Sequence, residues 1–539
     1  MLCKVLRIPI KKFSASRHGR WLALAGLIAI CMAIGLLTFK DFGISWDEPS
    51  SYQYGREALS AYRLILSGKE PIYTDSDGVL KYYGAAYLIS GAALTSLRGS
   101  LGLGTGPGLP IFDWDSLHLL NFVTFLMGVA ALYLLLCRWV SWPAAFGAAL
   151  IFASQPLLWG HAFINPKDIP FMAFFLVSLA LGLWMLDNIQ TASGMYPVGW
   201  TRSVLTHRAC VMLAGLALGY ATSTRIAAPL AGLIVTVVGL WQSRWKSLPT
   251  LALYWIFALL GLYATWPFLW LDPINRFLAS LHTMSAFPWK NKILFDGLSY
   301  KADNLPWRYL PKLITLQFSE PALLLAGGGL MALVWISWRR GKYRQVQCKS
   351  FLLPVILFLW FGVPLGWVIL ARPIIYDNFR QFLFIMPAIF ILGAVALDEL
   401  FKHLTDPLIR MLIILAAILP GLISGVSLHP YEYVYYNSLA GNIAGHYETD
   451  YWATSFREAA GYINSNAPKN AVVSIGPWGL IQDLMRQDIK IDRSNVSANS
   501  DYVIIFTRWE YEKNPAFIGK PVYTIGRAGA VFLTIQRMK

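Results

Sequence analysis

The sequence predicts a polytopic α-helical membrane protein with a small α/β domain at its C-terminal end. Three observations lead there. Of 539 residues, 56% are hydrophobic and only 14% charged, whereas soluble domains carry about 25% charged residues. The apolar residues gather in repeated runs of about 20, the length that crosses a bilayer as a helix. Beyond about residue 430 that pattern gives way to short runs rich in β-branched and aromatic residues, the mark of strands.

Hydropathy places about eleven spans, near 21–40, 117–137, 142–160, 169–187, 209–224, 227–242, 249–268, 315–337, 351–371, 381–397 and 411–428. The first is long and has no small-residue cleavage site after it, so it reads as an anchor and not a signal peptide. The net charge of +16 falls mostly between the apolar runs. Nucleic-acid binding would need it on a soluble face; here it reads as topology. The tail "MLCKVLRIPIKKFSASRHGR" (1–20) holds six Lys/Arg and no acid, and "SWRRGKYRQVQCKS" holds five and no acid. Arg138, Arg202, Arg208, Arg244 and Lys246 fall on the same side of the alternation. The positive-inside rule makes this side cytoplasmic and, with an odd span count, puts the C-terminus outside. The five cysteines form no disulfide framework or metal spacing.

The polar residues of the outer face carry the candidate chemistry. "ISWDEPSSYQYG" (44–55) sets Asp47 beside Glu48 just past the first span. Adjacent acids on a helix point about 100° apart, which suits a base plus a structural or metal-directed partner better than a couple sharing one proton. The plainer reading is an interfacial cap: Asp47 at the end of a membrane helix, or Glu48–Pro49 opening the next helix. "GHAFINPKDIPF" (160–171) packs His161, Asn165, Lys167 and Asp168 into a very short connection stiffened by two prolines. Charges held this close to a bilayer usually mark function, against the alternative that Asp168 only caps its helix. "YATSTRIAAP" puts Arg225 at an outer hairpin tip against the charge rule, which points to an anionic partner, lipid phosphate or protein carboxylate. The 271–312 loop interleaves aromatics and prolines with Lys290, Lys292, Arg308 and Lys312, as an interfacial segment meeting anionic headgroups would, or a plain basic loop. "RPIIYDNFRQF" adds Arg372, Tyr376, Asp377 and Arg380: either arginine could take a phosphate, or Asp377 could simply pair with one of them.

This layout resembles the GT-C glycosyltransferases, especially the protein O-mannosyltransferases and the lipid A aminoarabinose transferases. Asp47–Glu48 in the first external loop and Asp168 in "NPKDIPF", opening a later helix, match that family's two acidic positions. The first external region (41–116), with amphipathic candidates "YGREALSAYRLILSG" and "LKYYGAAYLISGAALTSL", resembles its juxtamembrane helices. The resemblance covers roughly residues 20–430; the sugar-binding insert of the eukaryotic mannosyltransferases is absent. It implies a 21–429 bundle in a bacterial inner membrane that moves a sugar from a polyprenyl-phosphate donor to a hydroxyl of a glycan, lipid or protein, with inversion. It makes Asp47 the general base. Glu48 and Asp168 would orient the acceptor or hold a divalent cation, the one cofactor considered. Lys167, Arg225, Lys290, Lys292, Arg372, Tyr376 and Arg380 are the substrate-binding candidates. The rival functions are a flippase of a lipid-linked anion, for which no internal repeat is visible, and a non-catalytic assembly subunit.

The C-terminal unit (430–539) reads as a helix at "TSFREAAGYINSN", a second at "WGLIQDLMRQ", and strands at "AVVSIG", "DYVIIFTRW", "PVYTIG" and "AVFLTIQR". "YETDYWA", with Glu448, Asp450 and Trp452, is expected to dock this unit on the bundle or to line the mouth of the site.

Overall fold

The computed structural model describes residues 17–74, 78–102, 112–190, 200–287, 289–342, 352–475, 481–493, 500–508 and 519–538. Cys3, Cys348 and most of the basic N-terminal tail lie outside them.

The bundle runs α1 (Arg17–Thr38), α2 (Glu48–Leu66), α3 (Ala86–Ser100), α4 (Trp114–Leu136), α5 (Trp142–Ala153), α6 (Pro156–Ile164), α7 (Asp168–Gln190), α8 (Trp200–Thr222), α9 (Pro229–Ser243), α10 (Leu248–Thr265), α11 (Pro273–Ser285), α12 (Tyr309–Gln317), α13 (Glu320–Lys342), α14 (Leu352–Leu357), α15 (Val363–Ala371), α16 (Pro387–His403) and α17 (Pro407–Leu428). Among the described residues, eight helical stretches are long and apolar enough to cross a membrane, nine if the bent pair α5–α6 counts as one. One of the eight, Pro229–Thr265, is 37 residues long and holds both α9 and α10, which part at Arg244 with φ 49°. With the shorter apolar helix Arg208–Thr222, each of the eleven expected segments has a helix.

The bend of 63° between α5 and α6 frees backbone groups that a membrane interior cannot hydrate. Gln155 takes up one of them, its amide donating to the Ile151 carbonyl at 2.9 Å, and its Oε1 accepts from Ser319 N at the start of α13, at 2.9 Å. Burial separates inner from outer helices. The spans built on α7 and α16 are 72% buried, while those of α1, α13 and α17 are 22%, 11% and 22% buried. Of the eight long spans among the described residues, the two most enclosed are the ones that open at Asp168 and Arg380.

The region between the first two long spans folds as α2 packed on α3, close to the two amphipathic stretches expected. The 271–312 segment is more ordered than a plain loop. It contains α11 and a hairpin, β1 (Lys292–Phe295) with β2 (Leu298–Lys301). Asp296 and Gly297 both take positive φ at the hairpin turn, the geometry that Asp-Gly supplies most readily. Lys312 and Arg308 pair with Asp296, at 2.5 and 3.5 Å, so these two cations serve the loop.

The C-terminal unit has α18 (Phe456–Asn466) against a five-stranded sheet of β3 (Val472–Ile475), β4 (Lys490–Asp492), β5 (Tyr502–Phe506), β6 (Lys520–Arg527) and β7 (Ala530–Arg537). The strand order is β4-β3-β5-β7-β6, parallel around β3 and antiparallel around β7. The four expected strands form, and β4 is an addition. The helix expected at "WGLIQDLMRQ" does not form among the described residues, which hold only a short 3-10 turn, Gln482–Leu484. Arg486 explains why. Its guanidinium donates to the carbonyls of Asn464, Ala467 and Pro468. That pins the segment along the end of α18 instead of letting it coil.

Candidate active site

Four breaks between helices bring charged side chains together at one end of the bundle, and the sheet adds a fifth contribution. Asp47 stands at the start of α2. Its side chain makes no capping bond to that helix. Its Oδ2 lies 3.1 Å from Lys167 Nζ and 3.5 Å from Arg380 Nη2. The interfacial-cap reading of Asp47 therefore gives way to an ion-pair role.

Asp168 is also not used as a cap. Asn165 Oδ1 accepts from the backbone N–H of Lys167 and Asp168, at 3.2 and 2.9 Å, and so terminates the turn into α7. This leaves the Asp168 carboxylate to take Arg380 Nη1 at 3.1 Å, the Asn165 amide at 3.0 Å, and Arg225. His161 stands behind, its ring nitrogens within 3.1 Å of the Asn165 amide and 2.9 Å of the Tyr451 hydroxyl.

Arg380 is the hub. Its guanidinium meets Asp47, Asp168 and Asp377. It lies between the rings of Trp452 and Tyr376, 4.6 and 5.0 Å from their centroids. Tyr376 is itself stacked on Trp289 at 4.1 Å. Lys167 and Arg225 sit 5.2 and 5.4 Å from the Tyr83 ring centroid. Beyond Arg380, Asp377 takes Arg508 from the end of β5, and Arg508 also pairs with Glu448 at 3.1 Å.

Four carboxylates and four cations thus form one network, and exposure tells the acids apart. The Asp47 side chain is 23% exposed, whereas Asp168, Asp377 and Glu448 are 1%, 0% and 4% exposed. Burial alone would raise the Asp47 carboxyl, but Lys167, Arg380 and Arg225 outweigh it and hold the acid below its ordinary range. Glu448 goes the other way: burial, reinforced by Asp377, pushes it up to about 7 despite Arg508. Burial likewise raises Asp450 to about 6, with Tyr433 and Ser455 donating to it.

Several expected site residues lie elsewhere. Glu48 points away from Asp47, as adjacent helical positions must. It is fully buried, accepts from Ser45 N at 2.7 Å, and lies 3.1 Å from His118. It anchors the start of α2 and is not part of the charged network. The expected Glu48–Asp168 metal pair is therefore not formed: one acid faces a histidine and the other two arginines. Among the described residues, no group of three His, Cys, Asp or Glu side chains could hold a metal ion. Lys290, Lys292 and Arg372 are exposed, and the ion pairs of the network use none of them. Arg508 went unmarked in the sequence because an arginine at the end of a strand in a separate unit carries no local sign of its target. "YETDYWA" both docks and lines: Asp450 holds the segment, Glu448 pairs with Arg508, and Trp452 covers Arg380.

No protein-family model matches the chain, and no curated protein matches it in sequence. Solved structures do match in fold. ArnT from Cupriavidus metallidurans in the apo state is similar over 96% of this chain and 99% of its own, with a TM-score of 0.51 at 15% identity. The same protein bound to undecaprenyl phosphate gives 0.50 at 13% identity, over 96% and 98%. The oligosaccharyltransferase of Archaeoglobus fulgidus in the apo form gives 0.49 at 12% identity, over 91% and 70%. At these identities the likeness to the two ArnT structures is one of fold, and it extends over 96% of this chain.

Proposed function

We propose that this protein is a membrane glycosyltransferase that moves a sugar from a polyprenyl-phosphate donor to an acceptor hydroxyl at the outer end of the bundle. One observation carries the reading. Asp47 is the partly exposed acid of an otherwise buried network, within 3.1 Å of Lys167 and 3.5 Å of Arg380. A base thus stands beside two cations that suit a phosphate. The undecaprenyl phosphate bound by ArnT, a protein of like fold, supports the same class of donor.

In the reaction, Asp47 takes the proton of the acceptor hydroxyl as its oxygen attacks the anomeric carbon. The bond from that carbon to the phosphate oxygen breaks, and the polyprenyl phosphate leaves with the electron pair. Attack opposite the leaving group inverts the configuration. Lys167 and Arg380, with Arg225 behind them, balance the charge on the departing phosphate. Their pairing with Asp47 has a consequence. A phosphate arriving between them competes with Asp47 for the same positive charge, so the carboxylate becomes more basic when the donor is bound. Proton abstraction is thereby tied to donor occupancy. Asp168 holds Arg225 and Arg380 in place and takes no proton.

The test is transfer by purified protein in lipid nanodiscs. Sugar should move from a polyprenyl-phosphate sugar, and not from a nucleotide sugar offered without a lipid carrier. Transfer from the nucleotide sugar alone would sink the proposal. Mass spectrometry of envelope glycans and glycoproteins, with and without the protein, identifies the acceptor.

A further inference from the structure

The turn before Arg380 is left-handed and held from outside. Asp377 and Asn378 both lie in the left-handed region, with φ 53° and 58°, which Asp and Asn adopt more readily than other side chains when hydrogen bonds hold them there. Three groups from other parts of the chain keep them there. Tyr309 donates to the Asn378 carbonyl at 3.2 Å, Tyr436 donates to Asn378 Oδ1 at 3.1 Å, and Arg508 grips Asp377. Arg508 is placed for this. It follows Thr507, whose N–H is bound to the Phe532 carbonyl at 3.0 Å as the sheet ends. It donates to the Tyr451 carbonyl at 2.8 Å, and its guanidinium lies 4.8 Å from the ring centroid of Trp46, the neighbour of Asp47. Asp377 then spans two arginines: one oxygen on Arg508, the other 3.3 Å from Arg380.

We propose that Arg508 is a positioning residue through which the C-terminal sheet sets the site. By holding one oxygen of Asp377, it fixes the other on Arg380 and so keeps that guanidinium facing Asp47 and Asp168. The inference rests on the donor reading above. Without Arg508, Asp377 and Glu448 lose their shared cation. Asp377 is then free to draw Arg380 away from the phosphate position.

The experiment measures undecaprenyl phosphate binding by the full-length protein in nanodiscs, for wild type, Arg508→Met, Arg508→Lys, Asp377→Asn and the double variant Arg508→Met/Asp377→Asn. Arg508→Met should weaken binding by about tenfold or more, within the range that a misplaced contact group costs. Arg508→Lys should recover only part, because an ammonium lacks the fork that spans two carboxylates. The deciding comparison is the double variant. If Arg508 acts through Asp377, removing it in the Asp377→Asn background changes affinity by less than about twofold; independent effects multiply. Losses that multiply, or wild-type affinity in Arg508→Met, overturn the inference while leaving the donor reading intact. If Arg508→Met does not fold, wild-type affinity in Arg508→Lys overturns it equally. Wild-type protein that fails to bind undecaprenyl phosphate overturns the donor reading and this inference together.

Discussion

Replacing Asp47 by Asn tests the proposed chemistry most directly, because the geometry predicts opposite effects on binding and on turnover. The substitution keeps the shape and removes the negative charge beside Lys167 and Arg380. General-base catalysis is worth about 10²–10⁴-fold, or roughly 3–5 kcal/mol of barrier, so single-turnover transfer should fall by that factor. Donor binding should move the other way. In the free protein, Asp47 occupies the cations that the phosphate needs. A unit charge about 5 Å from a bound phosphate is worth about 3 kcal/mol at an effective dielectric of about 20. Partial exposure of Asp47 cuts this to about 1–2 kcal/mol, so affinity for undecaprenyl phosphate should rise roughly 5- to 30-fold. Stability should fall modestly. Breaking a buried pair costs about 3–5 kcal/mol, but Arg380 keeps Asp168 and Asp377, and only Lys167 loses its carboxylate. The assay pairs equilibrium binding of undecaprenyl phosphate with single-turnover transfer from the bound donor. A rate within about threefold of wild type, far short of the general-base range, would show that Asp47 is not the base. Turnover and affinity falling together would mean that it merely holds the fold.

Two further outcomes follow from the same geometry. Glu448 is raised from its ordinary 4.5 to about 7, and Asp450 from 3.8 to about 6. A raised acid contributes stability that is full below its unfolded pKa and lost as pH rises through the folded one. Thermal stability of the purified protein should therefore decline as pH rises between about 4.5 and 7; Glu448→Gln should reduce the slope and leave the part due to Asp450, and an unchanged slope would remove Glu448 as a cause. For topology, single cysteines at the exposed positions Ser67 and Lys469 should react with an impermeant reagent added outside intact cells, and one at His403 should not; labelling of Lys469 only after permeabilisation would reverse the orientation of the C-terminal unit.

The bundle was legible in the sequence because hydropathy and helix length are local properties. A run of apolar residues must become a helix in a bilayer whatever its neighbours do, so each expected segment has its helix. The polar loops at this end of the bundle were legible for a related reason: Asp47, Lys167, Asp168, Arg225 and Arg380 stand out against a chain poor in charge, and all five meet. Which acid faces which cation was not legible. Asp47 and Lys167 are 120 residues apart, Asp168 and Arg380 are 212 apart, and Asp377 and Arg508 are 131 apart. Nothing in the local pattern distinguishes Arg380, which ends buried among three carboxylates, from Arg372, which ends exposed. Nor does adjacency distinguish Asp47 from Glu48. The turn of a helix sends one acid into the charged network and the other to His118, and only the packing of α2 against its neighbours decides which. The sequence by itself determined the membrane bundle, the sheet and the set of candidate charges. Tertiary structure chose among those charges and added Arg508, because an ion pair is a relation between distant residues that leaves no trace in either one alone.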